Sequence, residues 1–393
     1  MFQFNIVFGL LIAAISNFII RDLVETDSWR WMLAVEAIPA LIYSVMCLGL
    51  PESPRWLIGK GRREEGKEII STINPGLDPS TLDAKVSEIE NAHQQPTSQS
   101  GINWSKLKLP LTLAFLIAFF NQLSGINAVM GFSPRIFGMT GIDTSAGLFN
   151  STLVTLVNLV FTLIGLRLID KLGRRTLLYI GSFGYIISLG ICAWAFSHYK
   201  APFQVAEAAL NFKSASTLVA KPDLSEQKRT HAEEGFQKSL DALVITSKDP
   251  SYEGDDLNIP PSLTEQENVT IAETALQQAS DQAGSGSTIV LICILGFIAA
   301  HAVGQGAVIW VFIAEIFPNR SRAIGQSIGC GTHWLFAALL TLFFPMAVAA
   351  FSASALFGFF CFMMILQLIW VKAMVPETKG ISLEEMEEKL GTK

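Results

Sequence analysis

Apolar positions in this chain cluster into eight runs, residues 3–20, 31–50, 111–130, 148–169, 177–196, 289–312, 324–347 and 351–374, each nearly free of charge. Each run is close to the ~20 residues that a helix needs to cross a hydrocarbon layer of about 30 Å. The pattern predicts an all-α membrane protein with about eight transmembrane helices. The first run has no basic segment ahead of it, and a second run follows after a short polar link, so it reads as a span and not as a cleavable signal.

The polar segments between the runs set a topology. Residues 51–108 open with Arg55, Lys60, Arg62, Arg63 and Lys67 close to the membrane, which places this loop in the cytoplasm under the positive-inside rule. Counting spans from there puts residues 170–175, residues 320–322 and Lys379 on the same side, so the C-terminus is expected inside. The stretch 199–287 falls on the outer face and is rich in Ser and Gln, with Asp255 and Asp256 among its acidic residues. It reads as a soluble insert, in which 226–243 and 263–283 can form amphipathic helices but aromatics are too few to guarantee a core. Asn268-Val269-Thr270 is a glycosylation sequon there, a pattern that arises often by chance.

Composition strengthens the membrane reading. Half of the 393 residues are hydrophobic, 16% are charged and 27 are Phe, more apolar surface than a soluble domain of this length buries easily. Cys47, Cys192, Cys293, Cys330 and Cys361 lie within apolar runs without a paired spacing, as small packing residues do. No metal, cofactor or nucleic-acid partner is expected, and the chain reads as no enzyme.

Polar side chains inside lipid are costly unless they meet a partner or a cavity, so the amides of the third run carry the chemistry. Asn121, Gln122 and Asn127 lie there, and Gln122 and Asn127 project toward similar sides of a helix, with Gly125 and Gly131 permitting a break. An amide offers donors and an acceptor, which suits the hydroxyl pattern of a neutral sugar, although amides also bond helix to helix. Gln3, Asn158, Trp310 and the pair His333 and Trp334 add to the set, and an indole face stacks on the C–H face of a pyranose. His301 and His333 are not spaced as metal ligands and read as packed or hydrogen-bonded histidines.

Five ordered segments carry a family resemblance. Residues 51–57, Pro-Glu-Ser-Pro-Arg-Trp-Leu, look like the PESPRWL signature of the sugar porter family of the major facilitator superfamily. Residues 121–134 resemble its QQLSGINAVxYYSP segment, and 170–175 its D/E-x-x-G-R-R loop. Residues 306–318 resemble its GPxxWxxxxEIFP stretch with Ala307 in place of proline, and 376–380 its PETKG. The resemblance starts at the family's fifth helix, which implies a major facilitator superfamily fold that is N-terminally truncated and lacks the first four helices. On that basis residues 1–50 are the last two helices of the N-terminal bundle, and 51–108 a cytoplasmic inter-bundle loop with short helices. Residues 109–198 and 288–375 form the C-terminal bundle around the extracytoplasmic insert 199–287, with a cytoplasmic tail at 376–393.

The resemblance implies carriage of a monosaccharide, hexose or pentose, as a facilitator or with protons as the coupling ion. It assigns substrate contacts to Gln3, Asn121, Gln122, Asn127, Phe132, Asn158, Gly306, Trp310, His333 and Trp334. It assigns a charge network that latches the bundles to Glu52, Arg55, Asp170, Arg174, Arg175, Glu315 and Glu377. Asn121, Gly131-Phe132 and His333 depart from the family's residues, and with them the choice of sugar. Two other readings stay open: a membrane sugar sensor that binds without transport, and an insert that acts as a tethered enzyme or lectin, for which no motif speaks.

Overall fold

The structure is a computed structural model, which describes all residues except 1, 25–26, 95–103, 143, 223, 255–263, 319–320, 382 and 392–393. Asp255, Asp256 and Arg320 therefore lie outside the described residues. The described residues are helical or connecting, and eight stretches are long and apolar enough to cross a membrane. They fall into two compact units, Ile20–Ser105 and the combination of Met1–Ile19 with Lys106–Lys393.

The chain starts with α1 (Phe2–Leu23), whose residues to Ile19 belong to the larger unit. It buries Val7 and Leu11, and Phe18 meets the ring of Phe149. The smaller unit holds α2 (Ser28–Ala34) and α3 (Ala37–Cys47), whose side chains are not covered by protein, as suits hydrocarbon-facing helices. It continues with α4 (Pro54–Gly59), α5 (Arg63–Ile73) and α6 (Pro79–Gln94), a small amphipathic trio. These close over Ile58, Ile70, Leu82 and Val86 and are laced by Arg63–Glu90 and Lys67–Asp83 ion pairs. Glu52 and Arg55 stand exposed at the start of this trio.

The main bundle begins with α7 (Trp104–Leu123) and α8 (Ile126–Gly138), one predicted span that the structure breaks in two. Gly125 takes φ 85°, a left-handed turn that an L side chain resists, and Ser124 donates its hydroxyl to the Asn121 carbonyl at 2.6 Å. A second kink at Phe132 precedes Pro134. Two long helices follow, α9 (Thr144–Leu172) and α10 (Arg174–His198).

Among its described residues the insert forms three helices, α11 (Lys200–Val219), α12 (Glu226–Ser247) and α13 (Glu265–Ala283). The last two match the amphipathic stretches read from sequence; the first extends the helical content beyond them. Their core is mostly alanine (Ala206, Ala209, Ala272, Ala275, Ala279) around Phe212 and Tyr252, so close backbone approach replaces the missing aromatics. A capping box in which Thr264 and Glu267 bond each other's backbone N–H starts α13. Asn268 in its first turn is buried, which withholds the sequon from an enzyme at the surface.

The chain re-enters as α14 (Gly286–Val303) and α15 (Gln305–Glu315), again one predicted span broken at Gly304. It ends with α16 (Arg322–Ala350), α17 (Ala353–Met374) and a short α18 (Leu383–Lys389). All five cysteines are free.

Candidate functional site

The break at Gly125 turns α8 so that Asn127 faces back onto α7. Its Nδ2 donates to Gln122 Oε1 at 2.7 Å, and Gln122 Nε2 donates to Asn121 Oδ1 at 3.0 Å. The same Nε2 lies 3.1 Å from His333 Nδ1 on α16, so it also meets an imidazole edge. The His333 ring in turn sits 4.9 Å from the Trp310 ring of α15 and 5.2 Å from Trp334. Residues 121, 122, 127, 310, 333 and 334 thus gather from α7, α8, α15 and α16.

Burial sorts this group. Gln122 is fully buried and Asn121 nearly so, whereas Asn127, Trp310 and His333 are half-buried and Trp334 is 63% exposed. A ligand entering the group meets Asn127, His333 and the two indoles first, with Gln122 holding the polar pair in register behind them. Phe132 packs on Phe344 at 5.0 Å, joining the kinked part of α8 to α16. Gly306 packs closely on His301, where a Cβ would lie 3.0 Å from the His301 carbonyl oxygen. Among the described residues neither Asn158, buried on α9, nor Gln3, half-buried on α1, hydrogen-bonds to the group.

A second polar set was not singled out in the sequence. Gln305 Nε2 donates to Gln367 Oε1 at 2.8 Å, and Gln367 Nε2 donates to Ser182 Oγ at 3.0 Å, all three side chains fully buried. His301 Nδ1 and the Tyr185 hydroxyl lie 2.7 Å apart, so this histidine is the hydrogen-bonded one its setting implied. The signal for Gln305 and Gln367 was the same as for Gln122: an amide in an apolar run.

The charged end of the bundle is a closed network. Arg174 forks onto Glu315, Nη2 to Oε1 at 2.7 Å and Nε to Oε2 at 3.1 Å, and meets exposed Asp170 at 3.3 Å. Thr378 Oγ1 donates to Glu315 Oε2 at 2.6 Å. Glu377 caps α10: Oε1 accepts from the backbone N–H of Arg174 at 2.9 Å and Oε2 from that of Arg175 at 3.1 Å. Gly173, at φ 89°, makes this possible, since a Cβ there would lie 2.5 Å from Glu377 Oε2. Arg175 Nη2 donates to the Lys372 carbonyl at 2.9 Å.

Burial pushes the Glu377 carboxyl up, but the N–H groups of Lys379, Arg174, Arg175 and Thr378 outweigh it and hold the group below the usual carboxylate range. A depressed folded-state value contributes stability above the unfolded value and loses it as pH falls through the folded one. Thermal stability of the purified protein is therefore expected to fall on acidification below the ordinary carboxylate range. Glu377→Gln is expected to flatten that part of the profile, and an unchanged profile would remove the cap from the account.

A family model described as "Sugar (and other) transporter" matches residues 1–215 and 269–390. A plant protein described as "Probable inositol transporter 2" (Arabidopsis thaliana) is 30% identical over 412 residues, covering 98% of this chain and 68% of the relative. The arabinose-proton symporter of Bacillus subtilis (strain 168) is 28% identical, over 92% of this chain and 59% of the relative. The solved structure of the proton:xylose symporter XylE bound to 6-bromo-6-deoxy-D-glucose superposes with a TM-score of 0.61 at 25% identity, covering 99% of this chain and 66% of that one. The chain thus spans roughly two thirds of the length of the relatives it matches.

Proposed function

We propose, on the premise that the chain belongs to the family of sugar (and other) transporters, that it carries a monosaccharide or a related polyol across a membrane by alternating access. The observation that carries this reading is the cross-helix cluster of Asn127, Gln122 and His333 beside Trp310: paired amides, an imidazole and indoles in an apolar interior. Amides match hydroxyl groups in both hydrogen-bonding senses, and the indole faces match sugar C–H surfaces. Asn121, Phe132, Gly306 and Trp334 border the cluster in this reading, with Gln3 and Asn158 contributing when the helices rock together. Relatives that couple sugar to protons support symport as one mode, facilitation being the other.

The helices present correspond, in this proposal, to the last two of a first bundle (residues 1–50) and the six of a second (109–198 and 288–375). The loop 51–108, the network around Glu315 and the tail from 376 face the cytoplasm, where the basic short loops collect. The network latches that side closed and opens when the bundles rock.

Uptake tests the proposal. Radiolabelled D-xylose, L-arabinose and inositol are offered to transport-null cells expressing the chain, or a chimera joining it to the first four helices of the arabinose-proton symporter. Saturable uptake by the chimera of one of these is expected, acid-stimulated if protons are coupled. Saturable binding without flux in either form favours a sugar sensor, and neither binding nor uptake overturns the reading.

A further inference from the structure

A second site lies at the far end of α8, against the insert. The polar residues Glu207, Asn211, Ser214 and Thr217 recur along α11 at helical spacing and so share one face, and Lys221 follows just beyond the helix. The opposite face, with Val205, Ala209 and Phe212, is spent in the core of the three insert helices. The polar face looks into a cleft of about 870 Å³, a volume in the range of small-molecule sites. Its other wall is the last turn of α8, with Pro134, Arg135 and Gly138.

The wall is anchored. A side chain at Gly141, just beyond α8, would strike Ala206 and Leu276, and Ser287 Oγ donates to the Thr140 carbonyl at 2.8 Å. The end of α8 is therefore docked on α11 and α13, and the cleft is a built feature of the fold. Arg135 lies eight residues after Asn127, about 12 Å along the helix by rise per residue, so the cleft and the amide cluster share one half-helix. Thr217, Leu218 and Lys221 fall in residues 216–268, which the family model leaves unmatched, whereas Glu207, Asn211 and Ser214 fall within its match.

The lining carries Arg135, Lys213 and Lys221 against one carboxylate, Glu207, with polar and aliphatic side chains between them. Lys213 is committed to Glu273 at 2.7 Å, and Glu207 feels the opposite charge of Arg135. Burial nevertheless raises the Glu207 carboxyl above its ordinary range, which marks it as sheltered from water. Ser214 and Thr217 donate their hydroxyl protons to the carbonyls of Leu210 and Lys213, at 2.9 and 3.1 Å, and so offer lone pairs to the cleft. Asn211 supplies donors and an acceptor, and Leu210, Leu218 and Ile142 supply aliphatic surface between them. An apolar molecule would leave the amide and hydroxyls unpaired.

We infer that this cleft is a second, peripheral binding site for a neutral polyhydroxylated ligand, a sugar or polyol, held between α11 and the end of α8. The inference rests on the proposed function for its ligand class but not for its location. Its occupant bridges the insert and the half-helix that carries Asn127, and so gathers substrate beside the carrier's own cluster.

The test is binding by the full chain in phosphatidylcholine nanodiscs, titrated with D-glucose, D-xylose and inositol. The double variant Asn211→Leu with Ser214→Leu, both exposed positions, is expected to abolish one class of sites and to change the affinity of the other less than twofold. Gln122→Leu is expected to weaken the other class by tenfold or more and to change the affinity of the cleft less than twofold. As a second measurement that needs no folding argument, Thr217→Cys is labelled with a maleimide, and saturating sugar is expected to slow labelling about tenfold. An unchanged isotherm in the double variant, no protection at position 217, or protection by inorganic phosphate alone would each overturn the site. Loss of binding in the double variant with no effect of Gln122→Leu would uphold the cleft and refute the proposed function of the amide cluster instead.

Discussion

Gly181→Leu is expected to destabilise the bundle more than any other single change considered for this chain, because the obstacle it meets is backbone. A Cβ at Gly181 would lie 2.9 Å from Gly304 Cα and 3.2 Å from the Ala300 carbonyl, while a Cβ at Gly304 would lie 2.7 Å from Gly181 Cα. Helices α10 and α14 therefore touch main chain to main chain at the point where α14 gives way to α15. In lipid such contacts hold helices together through packing, since no hydrophobic gain separates helix from hydrocarbon. Overfilling a core costs about 1–3 kcal/mol even where side chains can yield. Here no flexible side chain stands in the way, so about 3 kcal/mol or more is expected. The measurement is loss of monodisperse protein on heating in detergent, with Gly331→Leu as control because nothing lies within 4 Å of a Cβ there. Equal melting of the two variants would show that the α10–α14 contact is not what holds the bundle.

That contact was invisible in the sequence, for a physical reason. Gly181 and Gly304 sit in apolar runs with several other glycines, and the local pattern does not say which of them faces a neighbour's backbone. The runs themselves were legible, because length and lack of charge are local properties that the bilayer selects directly. The breaks were half-legible: Gly125 was flagged as a place for a turn, while the break at Gly304 between two good apolar segments was not. In the insert, the amphipathic stretches that became α12 and α13 could be read, but α11 follows α10 after Tyr199 and hides its alternation of alanine and Phe212 behind the preceding span.

The site divides in the same way. Arg174, Glu315 and Glu377 could be named because the segments that carry them, 170–175, 306–318 and 376–380, resemble motifs of the family. Their arrangement could not: Glu377 spends its oxygens on the backbone N–H groups that open α10, and Thr378 joins Glu315, pairings between segments about 200 and 63 positions apart in the chain. Amides inside apolar runs were the readable sign of a polar cluster, and the rule that found Gln122 applies equally to Gln305 and Gln367. What only the fold supplies is that Gln122 reaches His333 on α16, whereas Gln305 bonds Gln367 and Gln367 bonds Ser182.

Gln122→Leu should weaken sugar binding by roughly tenfold to a hundredfold while leaving the protein folded and inserted. Gln122 is fully buried and holds three partners: Asn127 on its carbonyl, and Asn121 and His333 on its amide nitrogen. Leucine has similar bulk and costs nothing in hydrocarbon, so insertion is spared. Replacing one member of a buried polar group leaves its partners short of a bond, at about 0.5–1.5 kcal/mol for each neutral hydrogen bond lost. Two or three such losses, not fully additive, come to roughly 1.4–2.8 kcal/mol, and each 1.4 kcal/mol is tenfold in affinity. The effect falls on binding because Asn127 and His333, the half-buried members that meet a ligand, lose the residue that orients them. Trp310 stays against His333 through ring contact, so stacking of a sugar face survives and residual binding is expected. A purely structural role for Gln122 predicts the opposite split: lower melting temperature with affinity of the remaining folded protein unchanged. Measuring both on the same preparation, by calorimetric titration and by thermal melting, separates the two. Unchanged affinity would move the sugar away from α7 and leave the amide cluster as a clasp between helices.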